Sequence, residues 1–159
     1  MRLLLAAVGR LKDGPERELF DRYWSRLATS GRAIGITAVS LKEIPESRAR
    51  EADVRRSEEG RQLAEATRGL ATIVLDERGK TMASDQFARH LSGVTSGGHA
   101  GIAVLIGGPD GHGADVLAGA GLRLSIGPMT LPHGLVRVIV AEQLYRAATI
   151  VAGHPYHRG

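Results

Sequence analysis

The last seven residues of the chain carry an unusual density of side chains that could act on a nucleic acid. Gly153–Gly159 contain His154, Tyr156, His157 and Arg158. An aromatic ring can stack on a base, a guanidinium can hold phosphate, and an imidazole can accept a proton near neutral pH. This composition indicates chemistry on a nucleotide rather than an ordinary chain end.

Three further segments are candidate parts of a binding site, because each follows a predicted strand and contains glycine. They are Leu75–Lys80, Ile106–Gly111 and Leu124–His133. Glycine lets a backbone approach a ligand closely, and in α/β folds ligands bind beyond the carboxyl ends of strands. Ordinary turn chemistry explains any one of these segments equally well. Three of them in one small α/β chain favour a shared pocket.

Several common kinds of site do not fit the sequence. The P-loop pattern G-x-x-x-x-G-K-[ST] is absent. Gly111–Val116 begins like the dinucleotide fingerprint G-x-G-x-x-G, but it ends in valine and follows a late strand. There is no cysteine, and Pro155 disfavours a helical pairing of His154 with His157 as metal ligands. We therefore predict no bound metal ion.

Size and composition indicate a globular protein of one domain, residues 1–159. Hydrophobic residues make up 43% and charged residues 24%, which excludes a disordered tail or a coiled-coil rod. The net charge is +4, which is compatible with an anionic macromolecular partner but does not require one. The apolar run near Met1 is too short for a signal-peptide core or a membrane span. We expect a cytoplasmic protein without membrane contact.

Alternating strands and helices must position these segments. The pattern predicts strands at 2–8, 33–41, 71–76, 100–106 and 122–126, and helices at 15–31, 42–69, 84–91, just after 113, and 132–151. This alternation indicates an α/β fold with a mainly parallel sheet and helices on both faces. The last helix is apolar around most of its circumference, which favours burial at a subunit interface or, alternatively, in the core.

The chain resembles, from end to end, the SPOUT-class ribosomal RNA methyltransferases of the RlmH type. The resemblance rests on five ordered blocks, which are Leu75–Lys80, Ile106–Gly111, Met129–His133, Glu142–Ala147 and His154–Arg158. It implies a C-terminal trefoil knot, a homodimer, and S-adenosylmethionine bound in the knot as the cofactor. Knots are very rare in proteins, so this expectation comes from the family alone.

The resemblance also implies a reaction and its site residues. The expected reaction is methylation of N3 of a pseudouridine in the 23S rRNA of the assembled ribosome. The implied cofactor site consists of Leu75, Gly107, Gly108, Ile126, Gly127, Pro128, Met129, Thr130 and Leu131. We expect Tyr156, His157 and Arg158 to close over the target base, His157 taking a proton and Arg158 favouring the anion or holding phosphate. Arg10, Arg22 and the arginines of the second helix are candidate rRNA contacts.

Other functions stay open at this stage. One is a methyltransferase of the same class acting on another RNA acceptor, such as a ribose hydroxyl or a tRNA base. Another is a ribosome-binding protein without catalysis, which would have no cofactor affinity and would tolerate changes at Gly108. A nicotinamide enzyme would instead bind a dinucleotide. Cofactor binding and identification of the modified nucleoside would separate these functions.

Overall fold

The computed structural model describes residues 1–158, in which five strands alternate with five helices. In chain order the elements are β1 (Arg2–Val8), α1 (Pro15–Ser30), β2 (Ala38–Ile44), α2 (Ala52–Ala66), β3 (Ala71–Thr81), α3 (Ser84–Ser96), β4 (Gly101–Ile106), α4 (Ala114–Ala118), β5 (Leu122–Ser125) and α5 (His133–Val151). Short 3-10 helices lie at Gly31–Ile34 and Pro155–Arg158.

The five strands form one sheet in the order β2-β1-β4-β3-β5, and each neighbouring pair is parallel. All six residues of β4 are buried, as expected for a strand covered on both faces. The predicted α/β fold with a parallel sheet is confirmed. Because the strands run in one direction, the carboxyl ends of β3, β4 and β5 meet at one edge of the sheet.

Side chains of the central strands alternate between two cores. From β1, Leu3 and Leu5 belong to the larger core, whereas Leu4 and Val8 belong to the smaller one. The larger core is completed by residues of α1, α3 and α5, including Phe20, Phe87 and Leu144. The smaller core is completed by residues of α2 and α4, including Leu63 and Leu117. Helices therefore cover both faces, as predicted.

The second strand differs from its prediction of 33–41, because it runs from Ala38 to Ile44. Gly31–Ile34 instead form a 3-10 helix that ends at Gly35, whose φ of 78° is the left-handed conformation that glycine adopts readily. The apolar side chains of Ile34 and Ile36 are buried in the core and resemble a strand in the sequence. The charged residues that follow Leu41 complete the strand, so α2 begins only at Ala52.

The third strand is longer than the predicted 71–76. β3 continues to Thr81 through an irregularity between Leu75 and Lys80, where its pairing with β5 shifts register. Such a bulge bends the strand and redirects its side chains. It places Asp76 and the residues after it beside the carboxyl end of the sheet rather than in a simple turn.

The last helix, α5, is buried on several sides, as its composition predicts. It packs against both α1 and α3, and nine of its 19 residues are buried. Leu135 and Val151 remain 41% and 44% exposed within the single chain. In the part of the chain that the structure describes, no helix is both long and apolar enough to cross a membrane.

Candidate active site

A cavity of about 640 Å³ opens at the carboxyl ends of β3, β4 and β5. Three loops build it, and they are the three segments that the sequence singles out. Of the nine predicted cofactor residues, eight line this cavity: Leu75, Gly107, Gly108, Ile126, Gly127, Met129, Thr130 and Leu131. Pro128 belongs to the same loop but is not a lining residue. The structure thus brings the predicted segments together, and their role in binding stays a prediction.

A second, smaller cavity of about 290 Å³ adjoins the first behind the loop after β5. The two cavities share Leu75, Leu124, Ile126 and Gly127. Phe87, Val104 and Val140 give the smaller cavity a mostly apolar wall. A ligand at this edge therefore meets a chamber of mixed polarity on one side and a mostly apolar chamber on the other.

The glycines after β4 lie where an added Cβ atom would be crowded by its neighbours. A Cβ atom on Gly107 would approach the backbone carbon of Gly111 to 3.0 Å. A Cβ atom on Gly108 would approach Val8 Cγ1 to 3.0 Å and Glu59 Oε1 to 3.1 Å. Gly111, with φ +76°, closes the turn by donating its N–H to the Gly108 carbonyl at 2.9 Å. This loop therefore presents bare backbone to the cavity.

An ion pair stands in the cavity wall at the end of β3. Arg123 Nε, from β5, donates to Asp76 Oδ2 at 3.1 Å. Burial by itself would raise the pKa of the Asp76 carboxyl, but the hydrogen bond and charge of Arg123 outweigh it and the pKa is lowered. Asp76 is therefore an anion at neutral pH. Glu77, Arg56 and Arg78 add further charges of both signs to the lining.

His112 is a lining residue that the sequence analysis does not single out. Burial lowers the pKa of its imidazole below the ordinary value, although the Leu105 carbonyl and the Asp76 charge act in the other direction. The ring is therefore neutral at pH 7. Its Nε2 atom is buried without a hydrogen-bond partner among the described residues. In the sequence, the signal that could have identified His112 was its position directly after Ile106–Gly111.

Arg56 and Arg123 are also absent from the predicted site. Arg56 belongs to α2, a helix whose charge pattern is typical of a solvated surface, so tertiary packing alone brings it to the cavity. Arg123 interrupts the otherwise apolar run Leu122–Leu124, and a charge within a short strand was a weak signal for a site. Among residues 1–158, no group of three or more potential metal ligands lies close enough together to hold an ion.

The candidate rRNA contacts fall into two groups. One group is exposed and consists of Arg10, Arg22, Arg48, Arg50, Arg61 and Arg68. Arg55 and Arg56 are partly buried, and both donate hydrogen bonds to Asp110 in the loop after β4. The charge of the second helix is therefore divided between the surface and the cavity.

The predicted catalytic residues lie away from the cavity of their own chain. Tyr156, His157 and Arg158 form the C-terminal 3-10 helix, which packs on α5, and none of them lines the cavity. The Tyr156 hydroxyl donates to Glu142 Oε1 at 3.0 Å, and its ring centroid lies 4.7 Å from that of Tyr145. By contrast, the α5 residues that line the cavity are His133 and Val136, at the start of the helix.

The environment of Tyr156 keeps its hydroxyl protonated. Burial, the Tyr23 hydroxyl and the Glu142 carboxylate together raise the pKa of Tyr156 well above its ordinary value of 10.0. The Arg146 guanidinium lies 5.0 Å from the centre of the same ring. His157 Nδ1 is buried without a partner among the described residues. The Tyr156 side chain therefore anchors the tail to α5.

The comparisons with known proteins agree with this architecture. The profile of the family described as "predicted SPOUT methyltransferase" matches residues 1–157. A protein of Chelativorans sp. strain BNC1 called ribosomal RNA large subunit methyltransferase H is 51% identical over 158 residues, covering 99% of this chain and 91% of its own. A protein of the same name from Brucella anthropi is 48% identical, covering 99% of both chains.

Among solved structures, a probable methylase family protein from Haemophilus influenzae Rd KW20 superimposes with a TM-score of 0.51 at 12% identity. The match covers 98% of this chain and 69% of that one. At this identity the likeness concerns the fold alone. The family profile and the full-length relatives go further: the protein is a methyltransferase, and its chain belongs to the SPOUT methyltransferase family.

Proposed function

We propose that the protein methylates N3 of a pseudouridine in the 23S rRNA of the assembled ribosome, in the cytoplasm. The observation that carries this proposal is the convergence of three predicted cofactor segments on one cavity. Relatives about half identical over nearly the whole chain are named large subunit rRNA methyltransferases. Ribosomal RNA is therefore the substrate class that the comparisons support.

The donor follows from the family, since a SPOUT methyltransferase takes its methyl group from S-adenosylmethionine. The residues of the cavity fit this molecule. The volume of the cavity, about 640 Å³, is within the usual range for sites that enclose small ligands. Leu75 and Ile126 offer apolar contact for adenine, and the bare backbone of Gly107 and Gly108 offers hydrogen bonds. The donor supplies a methyl group on a positively charged sulfur.

Charged lining residues suit the polar parts of the donor. The anionic Asp76 and Glu77 can accept hydrogen bonds from ribose hydroxyls or an ammonium group. Arg56 and Arg78 can bind a carboxylate, for which a guanidinium is well shaped. Both signs of charge are needed, because S-adenosylmethionine carries an ammonium, a sulfonium and a carboxylate.

The C-terminal tail is proposed to act on the acceptor base. N3 of pseudouridine carries a proton that must leave before or during methylation. We expect His157, whose Nδ1 has no partner among the described residues, to take that proton. The exposed Arg158 can stabilise the resulting anion or hold a phosphate. Tyr156 anchors the tail through Glu142 and so positions the other two residues.

A homodimer would complete the site. The tail does not line the cavity of its own chain, so the tail at each cavity would have to come from a second copy of the chain. Leu135 and Val151 on α5, together with Ile126 and Met129, are exposed apolar side chains that a partner can cover. We also propose the trefoil knot. It is supported by the path from edge strand β5 past the cavity to α5, which packs on α1 and α3.

Transfer of labelled methyl from S-adenosylmethionine to ribosomes from cells lacking this modification tests the proposal. The wild-type protein should label large-subunit rRNA in ribosomes better than in free RNA. His157→Ala and Arg158→Ala should bind the donor normally and transfer methyl about a hundredfold more slowly. Arg89→Ala, which removes an exposed side chain of α3, is the matched control and should be unaffected. Normal transfer by both tail variants would refute the catalytic roles, and unlabelled ribosomes would refute the function.

A further inference from the structure

The loop after β4 is held from behind by α2. Arg55 Nε donates to Asp110 Oδ2 at 2.7 Å, and its Nη2 donates to Asp110 Oδ1 at 3.0 Å. This is the bidentate geometry in which a guanidinium and a carboxylate bind most strongly. Neither side chain is fully exposed, at 28% for Arg55 and 22% for Asp110. Arg56 Nη1 adds a hydrogen bond to the Asp110 carbonyl at 3.3 Å.

One turn further along α2, Glu59 lies under the same loop. It is 3% exposed, and its Oε2 accepts a hydrogen bond from the Ser47 N–H at 2.9 Å. Its Oε1 atom is buried without a partner among the described residues and faces the Gly108 backbone. A buried carboxylate oxygen without a partner is costly, so such groups are rarely kept without a reason.

Arg55 and Glu59 connect the loop to a second segment. Arg55 Nη1 donates to the carbonyls of Ala49 and Arg50, at 3.0 and 2.8 Å. Glu59 binds the backbone of Ser47 in the same stretch. Neither Arg55 nor Glu59 lines the cavity. These two side chains therefore reach Gly108–Asp110 from the rear, together with the segment before α2.

We propose that Arg55 and Glu59 are positioning residues that fix the loop Gly107–Gly111 in its cofactor-binding conformation without touching the cofactor. Glycine-rich loops lose much conformational entropy when they become ordered. A loop that is already ordered loses less of this entropy when it binds its ligand. The inference rests on the proposed function, because it assigns S-adenosylmethionine to this cavity.

The test measures donor affinity and turnover separately. Arg55→Gln and Asp110→Asn should each raise the Kd and KM for S-adenosylmethionine about tenfold. For Arg55→Gln the turnover at saturating donor should stay within about twofold of wild type, because Arg55 does not line the cavity. The double variant should be no weaker than either single variant, because both break the same ion pair. Glu65→Gln, which changes an exposed carboxylate on the same helix, is the control.

Glu59→Gln extends the test to the buried carboxylate. It keeps the size of the side chain and should weaken donor binding severalfold while turnover at saturation is retained. If the variants lower the melting temperature but bind the donor as wild type does, these residues brace the fold only and the inference is wrong. If the wild-type protein itself binds no donor, the proposed function fails and the inference fails with it.

Discussion

At the scale of single residues, the site depends on positions where a side chain is missing as much as on those where one is present. Gly108 shows this clearly, since the space beside its Cα is occupied by Val8 on one side and Glu59 on the other. A loop without Cβ atoms at these positions keeps its backbone groups available to a ligand. Sequence pattern alone identified this glycine as a turn residue, and the packing explains why it is glycine.

Gly108→Ala should therefore weaken donor binding more than it weakens the fold. The added methyl group must displace Val8 or Glu59 and so shift the loop, for which we expect at least a tenfold rise in the Kd of S-adenosylmethionine. Calorimetric titration measures this directly. Gly93→Ala is the matched control, because no atom lies within 4 Å of the new methyl group and α3 gains helix propensity. Equal donor affinity in both variants would contradict this role of Gly108.

At the scale of elements, α5 is joined to the ends of β1 and β2 by one buried cation. Arg137 is 3% exposed, and its Nη1 donates to Glu43 Oε2 at 2.7 Å. Its Nη2 donates to the carbonyls of Val8 and Gly9. This side chain therefore joins the start of α5, which lines the cavity, to the ends of β1 and β2.

Arg137→Met should destabilise the protein by about 3 kcal/mol, because it leaves a partly buried carboxylate without its cation and removes the guanidinium hydrogen bonds to two carbonyls. Equilibrium unfolding in urea gives this free energy. Arg89→Met removes an exposed ion pair on α3 and should cost less than about 1 kcal/mol. A loss of similar size in the two variants would show that Arg137 does not anchor α5.

The ion pair between Arg137 and Glu43 also makes the stability of the protein depend on pH. Burial by itself would raise the pKa of the Glu43 carboxyl, but the hydrogen bonds from Arg137 and the Leu11 N–H outweigh it and hold the pKa below its ordinary value of 4.5. The pKa of this carboxyl is therefore lower in the folded than in the unfolded protein. The stabilisation is complete at a pH above the pKa of the unfolded state, and it is lost as the pH falls through the pKa of the folded state. Glu43→Gln should therefore lose less stability than wild type between about pH 5 and pH 3. If the free energy of unfolding falls equally in the two proteins over this pH range, the role of Glu43 is contradicted.

How far the elements could be predicted depended on whether local sequence or tertiary pairing defines them. β1 and β4 match their predictions to within one residue, because each is a continuous apolar run in the middle of the sheet. β2 was misplaced, because Ile34 and Ile36 are buried outside any strand. The extension of β3 to Thr81 consists of charged and polar residues, and its pairing with β5 defines it. The cavity loops were predictable because glycine marks the strand ends.

At the scale of the whole molecule, the separation between tail and cavity is the feature that no local pattern could reveal. The motif His154–Arg158 was identified from its composition, but its place against Glu142 and Tyr145 depends on how the chain folds back after α5. Sequence predicted these segments, whereas in the proposed function a second copy of the chain brings tail and cavity together.

Mixed dimers test that arrangement. A cavity variant, Gly108→Val, and a tail variant, Arg158→Ala, should each be nearly inactive alone. Co-expressed in equal amounts, they should recover on the order of a quarter of wild-type activity, because half of the dimers are mixed and each has one intact site of two. Separate tags allow the mixed dimer to be purified and assayed. If it is as inactive as its parents, each tail serves the cavity of its own chain.

The most direct test of the central claim is the identity of the nucleoside that receives the methyl group. Ribosomes from cells lacking the modification would be incubated with the protein and labelled S-adenosylmethionine, and their RNA digested and analysed by mass spectrometry. The proposed function predicts one labelled nucleoside per large subunit, a pseudouridine methylated on N3. Label on a ribose hydroxyl or on tRNA would contradict the proposed acceptor. No label, with donor binding absent as well, would contradict the proposed function altogether.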